Sequence, residues 1–282
     1  MKIKFMIHRS KKRFLEEKEY FRKMVGFYNA FYPDLKFIDR GIRFSIKKDN
    51  NIIDFDFGFY NMDKKDFKKY DYVISTGLFA IINSKIQPGD MILPIQTTYM
   101  HISQKRTKLV INSSIFKFNN QMNKVIAKLV KYEQELDTDA IKKYIYKSFK
   151  NLEKDKIHKI KTMHIHKNGK MITCNTTFMP SELIKTKVFV KDKEIPNLQK
   201  YLEKNIDGLN CETKGMIKNI GSKLLMLSWG LDKPYQLTEF TKELWDSKNY
   251  HKIIPTFNLS QKIYFYFLLL GYLIKNNFHI KK

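Results

Sequence analysis

The chain has little cysteine, little arginine and no long apolar run, and each shortage closes off a class of protein. Its two cysteines, Cys174 and Cys211, match no CxxC or zinc-ligand spacing. This argues against a disulfide scaffold or a structural zinc site and fits a reduced, cytoplasmic setting. The most apolar segment, Ile263 to Ile274, is 12 residues long, short of the ~20 that a membrane helix needs. A buried C-terminal helix is expected there, with no membrane span. The opening residues MKIKFMIHRSKKRF hold too short an apolar stretch for a secretory signal. No internal repeat or low-complexity linker breaks the chain, so one domain over residues 1–282 is expected.

Acidic residues are also scarce: 28 Asp plus Glu stand against 53 Lys plus Arg, a formal net charge of +25. Such a surface attracts anionic metabolites and polyanions. Yet only six of the cations are arginine (Arg9, Arg13, Arg22, Arg40, Arg43 and Arg106), and the lysines are spread along the whole chain. Proteins that read nucleic-acid sequence favour the bidentate arginine fork. A nucleic-acid partner is therefore the weaker expectation.

What the chain does have is apolar content: 43 % hydrophobic and 14 % aromatic residues over 282 positions, enough for a sizeable core. Periodicity predicts strands at Lys2–Ile7, Leu35–Lys47, Ile52–Phe59, Tyr72–Thr76, Met91–Ile95, near residues 159–166 and 171–177, and at Lys223–Ser228. It predicts helices at His8–Val25, Asn119–Glu135, Thr138–Leu152, Pro196–Lys204, after Glu212, at Thr238–Asp246 and at Leu259–Lys275. Asp137 and Thr138 are N-cap candidates. Strands alternating with helices imply an α/β fold with a central mixed, mostly parallel sheet flanked by helices. In such sheets ligands bind outside the carboxyl ends of the strands.

Three strand ends draw attention. One is Ser75-Thr76-Gly77-Leu78-Phe79-Ala80, followed by Gly89-Asp90. The second is Thr173-Cys174-Asn175-Thr176-Thr177-Phe178. The third is Asn210-Cys211-Glu212, followed by Ser228-Trp229-Gly230-Leu231-Asp232-Lys233-Pro234. In order and spacing these elements resemble the nucleoside phosphorylase and nucleosidase superfamily: purine nucleoside phosphorylases, methylthioadenosine/adenosylhomocysteine nucleosidases and AMP nucleosidases. The family pattern is a strand ending in Thr-Gly, then Gly-Asp, then a glutamate at a helix start, then a strand ending in Ser-Asp. Thr76-Gly77, Gly89-Asp90, Glu212 and Asp232 occupy these places, and Asp232-Lys233-Pro234 is especially similar to AMP nucleosidases. The likeness runs over roughly residues 70 to 240 and is carried by four elements in order.

The resemblance implies a divergent enzyme that cleaves the N-glycosidic bond of a purine nucleoside or nucleotide. It implies no cofactor or metal, and commonly a homo-oligomer. Physical chemistry fits those residue types. Breaking a base–ribose bond requires neutralising the leaving base, and a carboxylic acid raised in pKa by apolar neighbours such as Trp229 and Leu231 can protonate it. Asp232 is the candidate acid. The sugar becomes oxocarbenium-like as the bond breaks, and Glu212 is the candidate carboxylate that holds the ribose hydroxyls. Phe178 is the candidate ring stacked on the base, with Phe79 the second choice. Thr76 and Gly77 would make close hydroxyl and backbone contacts, and Thr177, Cys211 and Ser228 complete the expected lining.

The family's glycine-rich phosphate loop is missing, so hydrolysis is expected over phosphorolysis, with inorganic phosphate the lesser alternative. Methylthioadenosine-type nucleosidases place a water-activating glutamate early in the first helix. The nearest acids here, Glu16 and Glu17, lie about a turn farther along. Arg9, Lys11, Lys12 and Arg13 are candidates to hold a 5′-phosphate, against the simpler expectation of a solvated helix face. His164-Ile165-His166 puts two imidazoles on one strand face without a third metal ligand, and an ordinary exposed face is expected. Ser75 and Ser228 have no evident triad partners. Two rival functions stand beside the enzyme: a non-catalytic nucleotide binder of the same fold, and a basic nucleic-acid binder.

Overall fold

Every residue of β1 (Lys2–Ile7) after Lys2 is buried, as a strand covered on both faces must be. In the computed structural model this strand lies near the middle of a sheet described as 12-stranded. The structure describes residues 1–7, 11–57, 67–83, 85–87, 90–103, 108–118, 121–149, 160, 164–174, 187–190, 192–196, 198–210, 220–232 and 259–280. After β1 come α1 (Lys11–Tyr28), β2 (Lys36–Arg40), β3 (Arg43–Lys48), β4 (Asn51–Phe57), β5 (Tyr72–Ile81), β6 (Met91–Ile102) and β7 (Lys108–Lys117). Then follow α2 (Gln121–Gln134), α3 (Thr138–Phe149), β8 (Ile165–Cys174), β9 (Lys187–Val190), β10 (Lys193–Ile195), α4 (Leu198–Asn205), β11 (Gly208–Asn210), β12 (Leu224–Asp232) and α5 (Leu259–Lys275).

The expected α/β class is what the chain adopts: a mixed sheet flanked by helices, with β4, β1, β5 and β12 running parallel through its centre. One face of that centre carries Ile3, Phe5, Phe55, Ile74, Leu225, Leu227 and Trp229, packed with α1 and α5 in a single apolar cluster. Stacking is dense there. The Phe44 and Phe55 rings lie 4.3 Å apart at 10°, and Phe21 sits 4.5 Å from Phe55. The apolar segment Ile263–Ile274 is buried throughout within α5. Its C-terminal end is held by Lys48, whose Nζ donates to the Ile274 carbonyl and to Asn277 Oδ1, a cation where the helix dipole favours one. Among the described residues no helix is long and apolar enough to cross a membrane.

Several expected boundaries move. Leu35–Lys47 is not one strand but the β2–β3 hairpin, turned at Gly41, whose φ of 72° side chains rarely adopt. β5 does not stop at Gly77; it runs on to Ile81 because β12 stays paired with it. The two strands expected near residues 159–177 are one strand, β8, which passes through Asn168 at φ 63°. β7, β9 and β10 were not anticipated. Helix α1 runs on past Val25 to Tyr28. Asp137 does cap α3, accepting the Ala140 N–H at 2.9 Å. The helices expected after Glu212 and at Thr238–Asp246 lie outside the described residues.

Beyond the parallel centre the sheet closes on itself. β5 pairs with β12, β12 with β6, β6 with β8, β8 with β11, and β11 returns to β5. Phe79, Ile81, Ile86, Ile92 and Met171 form one buried apolar cluster within this ring. Glycines make room for it. A Cβ on Gly208 would stand 2.3 Å from Phe79 Cδ2, one on Gly169 2.1 Å from Ile92 Cγ2, and one on Gly230 2.8 Å from Ile81 Cδ1. The ring is a filled small barrel, tight enough that any added methylene strains it.

Candidate active site

β12 accompanies β5 in parallel register along its length. Leu227 stands opposite Thr76, Ser228 opposite Gly77, Gly230 opposite Phe79 and Asp232 opposite Ala80. The other edge of β5 is served in two pieces. β1 pairs with it only as far as Thr76, opposite Ile7, and β11 takes over at Ala80, opposite Leu209. Among the described residues, no strand pairs with Gly77, Leu78 and Phe79 on that edge. Backbone polar groups left between two strand ends need other partners, from side chains, water or a ligand.

Exposure marks the same spot. Tyr72, Val73, Ile74, Ser75, Thr76, Phe79 and Ile81 are all buried, whereas Gly77 is partly exposed. A glycine has no side chain, so solvent reaches the main chain itself at this point. The expected Thr76-Gly77 opening is therefore a gap along a continuous strand, not a turn at its end.

The two other motif strands converge on the same ring. β8 and β11 are parallel neighbours, with Asn210 opposite Thr173, and β11 is antiparallel to β5. Asn210 directly precedes Cys211-Glu212, and Cys174 lies just before the Thr177-Phe178 stretch. Arg9, Thr177, Phe178, Cys211 and Glu212 themselves lie outside the described residues. Asp232 is the last residue of β12, reached through a bulge between Gly230 and Asp232. A one-residue bulge changes which face the following side chains occupy and is frequent beside active sites.

The remaining expected residues are placed by their contacts. The Thr76 hydroxyl is committed to the scaffold: it donates to the Met6 carbonyl at 3.3 Å and lies 3.0 Å from the Tyr266 hydroxyl of α5. It therefore faces the helix layer and offers no free group to a ligand, which corrects the expected hydroxyl contact. Phe79 is 2 % exposed inside the barrel cluster and against Gly208, so its ring fills the core in place of stacking on a base. Ser228 is buried beside Gly77. Of the two acids nearest to the first-helix position implied by the family resemblance, Glu16 is half-buried and Glu17 is buried in an ion pair with Lys262 at 2.6 Å.

Two groupings escaped the sequence. Glu17 shares the buried face of α1 with Phe14 and Phe21, and a charge at that helical spacing signals a buried partner. The partner, Lys262, also lies 5.1 Å over the Tyr266 ring, so a polar chain runs Glu17–Lys262–Tyr266–Thr76 beneath the strand ends. The second grouping is Asp90 with His166. The His166 Nε2 lies 2.9 Å from Asp90 Oδ2, and that same oxygen accepts the Gln87 N–H at 2.9 Å. His166 is thus paired rather than part of an idle exposed face. No cluster of three metal-ligating side chains occurs among the described residues.

No family model matches the chain, and no curated protein matches it. Solved structures do. A methylthioadenosine phosphorylase from an antarctic soil metagenomic library aligns with 97 % of this chain and 85 % of its own length, at TM-score 0.51 and 8 % identity. A methylthioadenosine/adenosylhomocysteine nucleosidase of Colwellia psychrerythraea, solved with adenine, aligns over 97 % and 96 % at TM-score 0.49 and 12 % identity. The Helicobacter pylori nucleosidase aligns over 98 % and 100 % at TM-score 0.45 and 8 % identity. The match to the phosphorylase shows that this chain shares its α/β fold.

Proposed function

We propose that this chain cleaves the N-glycosidic bond of a purine nucleoside or nucleotide, using water in preference to phosphate. The observation that carries the proposal is the interrupted edge of β5: a solvent-reached main chain at Gly77, beside the strand that ends in Asp232. Two segments distant in sequence, both named by the resemblance, are neighbours here: Gly77 on β5 stands opposite Ser228 on β12, along the edge of β5 across from the interruption. In the proposed step the C1′–N bond breaks and its electron pair leaves with the base, which takes a proton from the Asp232 carboxyl. Water adds its oxygen to C1′ and passes a proton to bulk water, from which the Asp232 carboxylate regains the proton it gave to the base. Glu212 holds the ribose hydroxyls and offsets the positive charge that develops on the sugar. Phe178 stacks on the base, and Arg9 is the candidate contact for a 5′-phosphate.

One observation favours a second reading, a nucleotide binder without turnover. The buried pairing of Glu17 with Lys262 ties up one of the two acids, Glu16 and Glu17, nearest to the place where the family's nucleosidases keep a water-activating glutamate.

The test is to incubate the full chain with a panel of purine nucleosides and nucleotides, with and without phosphate, and to assay free base. Base released without phosphate supports hydrolysis, and base released only with phosphate makes the protein a phosphorylase. No base, with a ligand-induced rise in Tm, makes it a binder. Asp232→Asn is expected to lower turnover by on the order of 10²-fold or more; an unchanged rate removes Asp232 from the mechanism.

A further inference from the structure

Asp90 is a junction of three strands of the ring. Its N–H donates to the Gln87 carbonyl at 3.0 Å, and its own carbonyl accepts the Gly230 N–H of β12 at 2.9 Å. Its carboxylate accepts the Gln87 N–H and meets His166, which stands opposite Ile92 where β8 pairs with β6. The turn it closes lies directly on β12: a Cβ on Gly230 would stand 3.2 Å from the Gln87 carbonyl oxygen. Gly230 is also the last residue in register before the bulge that leads to Asp232. β6 itself pairs with β12 at Ser228 and Trp229; at Gly230, the last residue before the bulge, the hydrogen bond on that side comes from Asp90, and Asp90 is held in turn by its turn and by His166.

We infer that Asp90 and His166 form a positioning pair that sets the Gly230–Asp232 bulge and, through it, the Asp232 carboxyl. The inference rests on the reading of Asp232 as the acid of a nucleoside-cleaving site. His166 Nε2 donates to Asp90 Oδ2 and holds the carboxylate against the Gln87 N–H. This keeps the turn seated on Gly230, so the Asp90 carbonyl stays in line with the Gly230 N–H. His166 touches no reacting atom; it acts through main-chain geometry. Displacing a catalytic group by about 1 Å can cost up to 10²-fold in rate. Loss of the pair is therefore expected in kcat far more than in KM.

The test uses two variants of the full chain. His166→Ala removes the donor, whereas His166→Gln restores an N–H near the place of Nε2. Hydrogen exchange is followed at the Gly230 amide, and base release is measured as kcat and KM. The inference expects His166→Ala to speed exchange at Gly230 several-fold, with distant amides unchanged. It expects kcat to fall on the order of 10-fold with KM within about two-fold, and His166→Gln to recover both. Unchanged exchange at Gly230 in His166→Ala, or no recovery in His166→Gln, overturns it. Should the unaltered chain release no base, the glycosidase reading fails, while the exchange arm still decides whether the pair holds the bulge.

Discussion

The Tyr266 hydroxyl lies 3.0 Å from the Thr76 hydroxyl, which in turn donates to the carbonyl of Met6. Helix α5 is thereby bolted to the carboxyl end of β1 and to the middle of β5. With the Thr76 proton given to Met6, Tyr266 is the donor between the two hydroxyls. Removing it in Tyr266→Phe leaves a buried acceptor unsatisfied. Urea titration is expected to show a loss of about 1–3 kcal/mol with an unchanged m-value. Full stability in that variant means the hydroxyl contact contributes nothing.

Gly77 is the point at which solvent reaches the β5 main chain. Its φ is not positive, so a β-branched residue suits the strand conformation there. Gly77→Val is expected to fold, judged by circular dichroism, and to abolish the rise in Tm that a bound nucleoside gives the unaltered chain. A retained ligand shift places the binding site elsewhere.

Lys262 and Glu17 are 4 % and 5 % exposed at the side chain and 2.6 Å apart. Breaking such a pair strands a buried charge, so Lys262→Met alone is expected to cost about 3–5 kcal/mol. The double replacement Lys262→Met with Glu17→Met is expected to recover most of that loss. A double-mutant cycle that finds the single and double changes additive shows the pair is not coupled.

Burial, the largest cause, together with neighbouring Tyr32 raises the Tyr132 phenol to about 12; the Tyr28 hydroxyl partly offsets the rise. The unfolded chain gives up this proton near pH 10. Between pH 10 and 12 the folded state holds more protons, so stability present below pH 10 falls as pH rises through that window. Denaturation midpoints taken from pH 8 to 11.5 are expected to drop, with a shallower drop in Tyr132→Phe. An equal slope in both proteins excludes Tyr132 as a contributor.

Local patterning revealed the elements whose cause is local. α3 was legible from Ile141, Ile145 and Phe149 at helical steps, and α5 from its apolar run; all three α3 residues are buried. What escaped was set by distant partners. β7 carries Asn112-Ser113-Ser114 in its middle, and pairing with β6 on either side of that stretch keeps it one strand. Gly77 reads as a strand terminator, yet β12 holds the strand extended past it. The Thr76 hydroxyl reads as available for a ligand, yet its partner, Tyr266, lies 190 positions away. Of the candidate site, the sequence pointed to β5 and β12, which the structure sets side by side, but not to which way the side chains of β5 turn. Thr76 and Phe79, both named as contacts, serve the core.

The closed ring also dictates an order of assembly. β5 and β6 leave the ribosome long before β12, which pairs with both of them. Until Leu224–Asp232 has been synthesised the barrel cannot shut, and β5 presents a bare edge of the kind that recruits other chains. The N-terminal hairpin and β1 can settle early, while closure waits for contacts of very long sequence separation, which form slowly. Chains terminated ahead of β12 should therefore accumulate as aggregates, and chaperone demand should peak while that last strand is still being made.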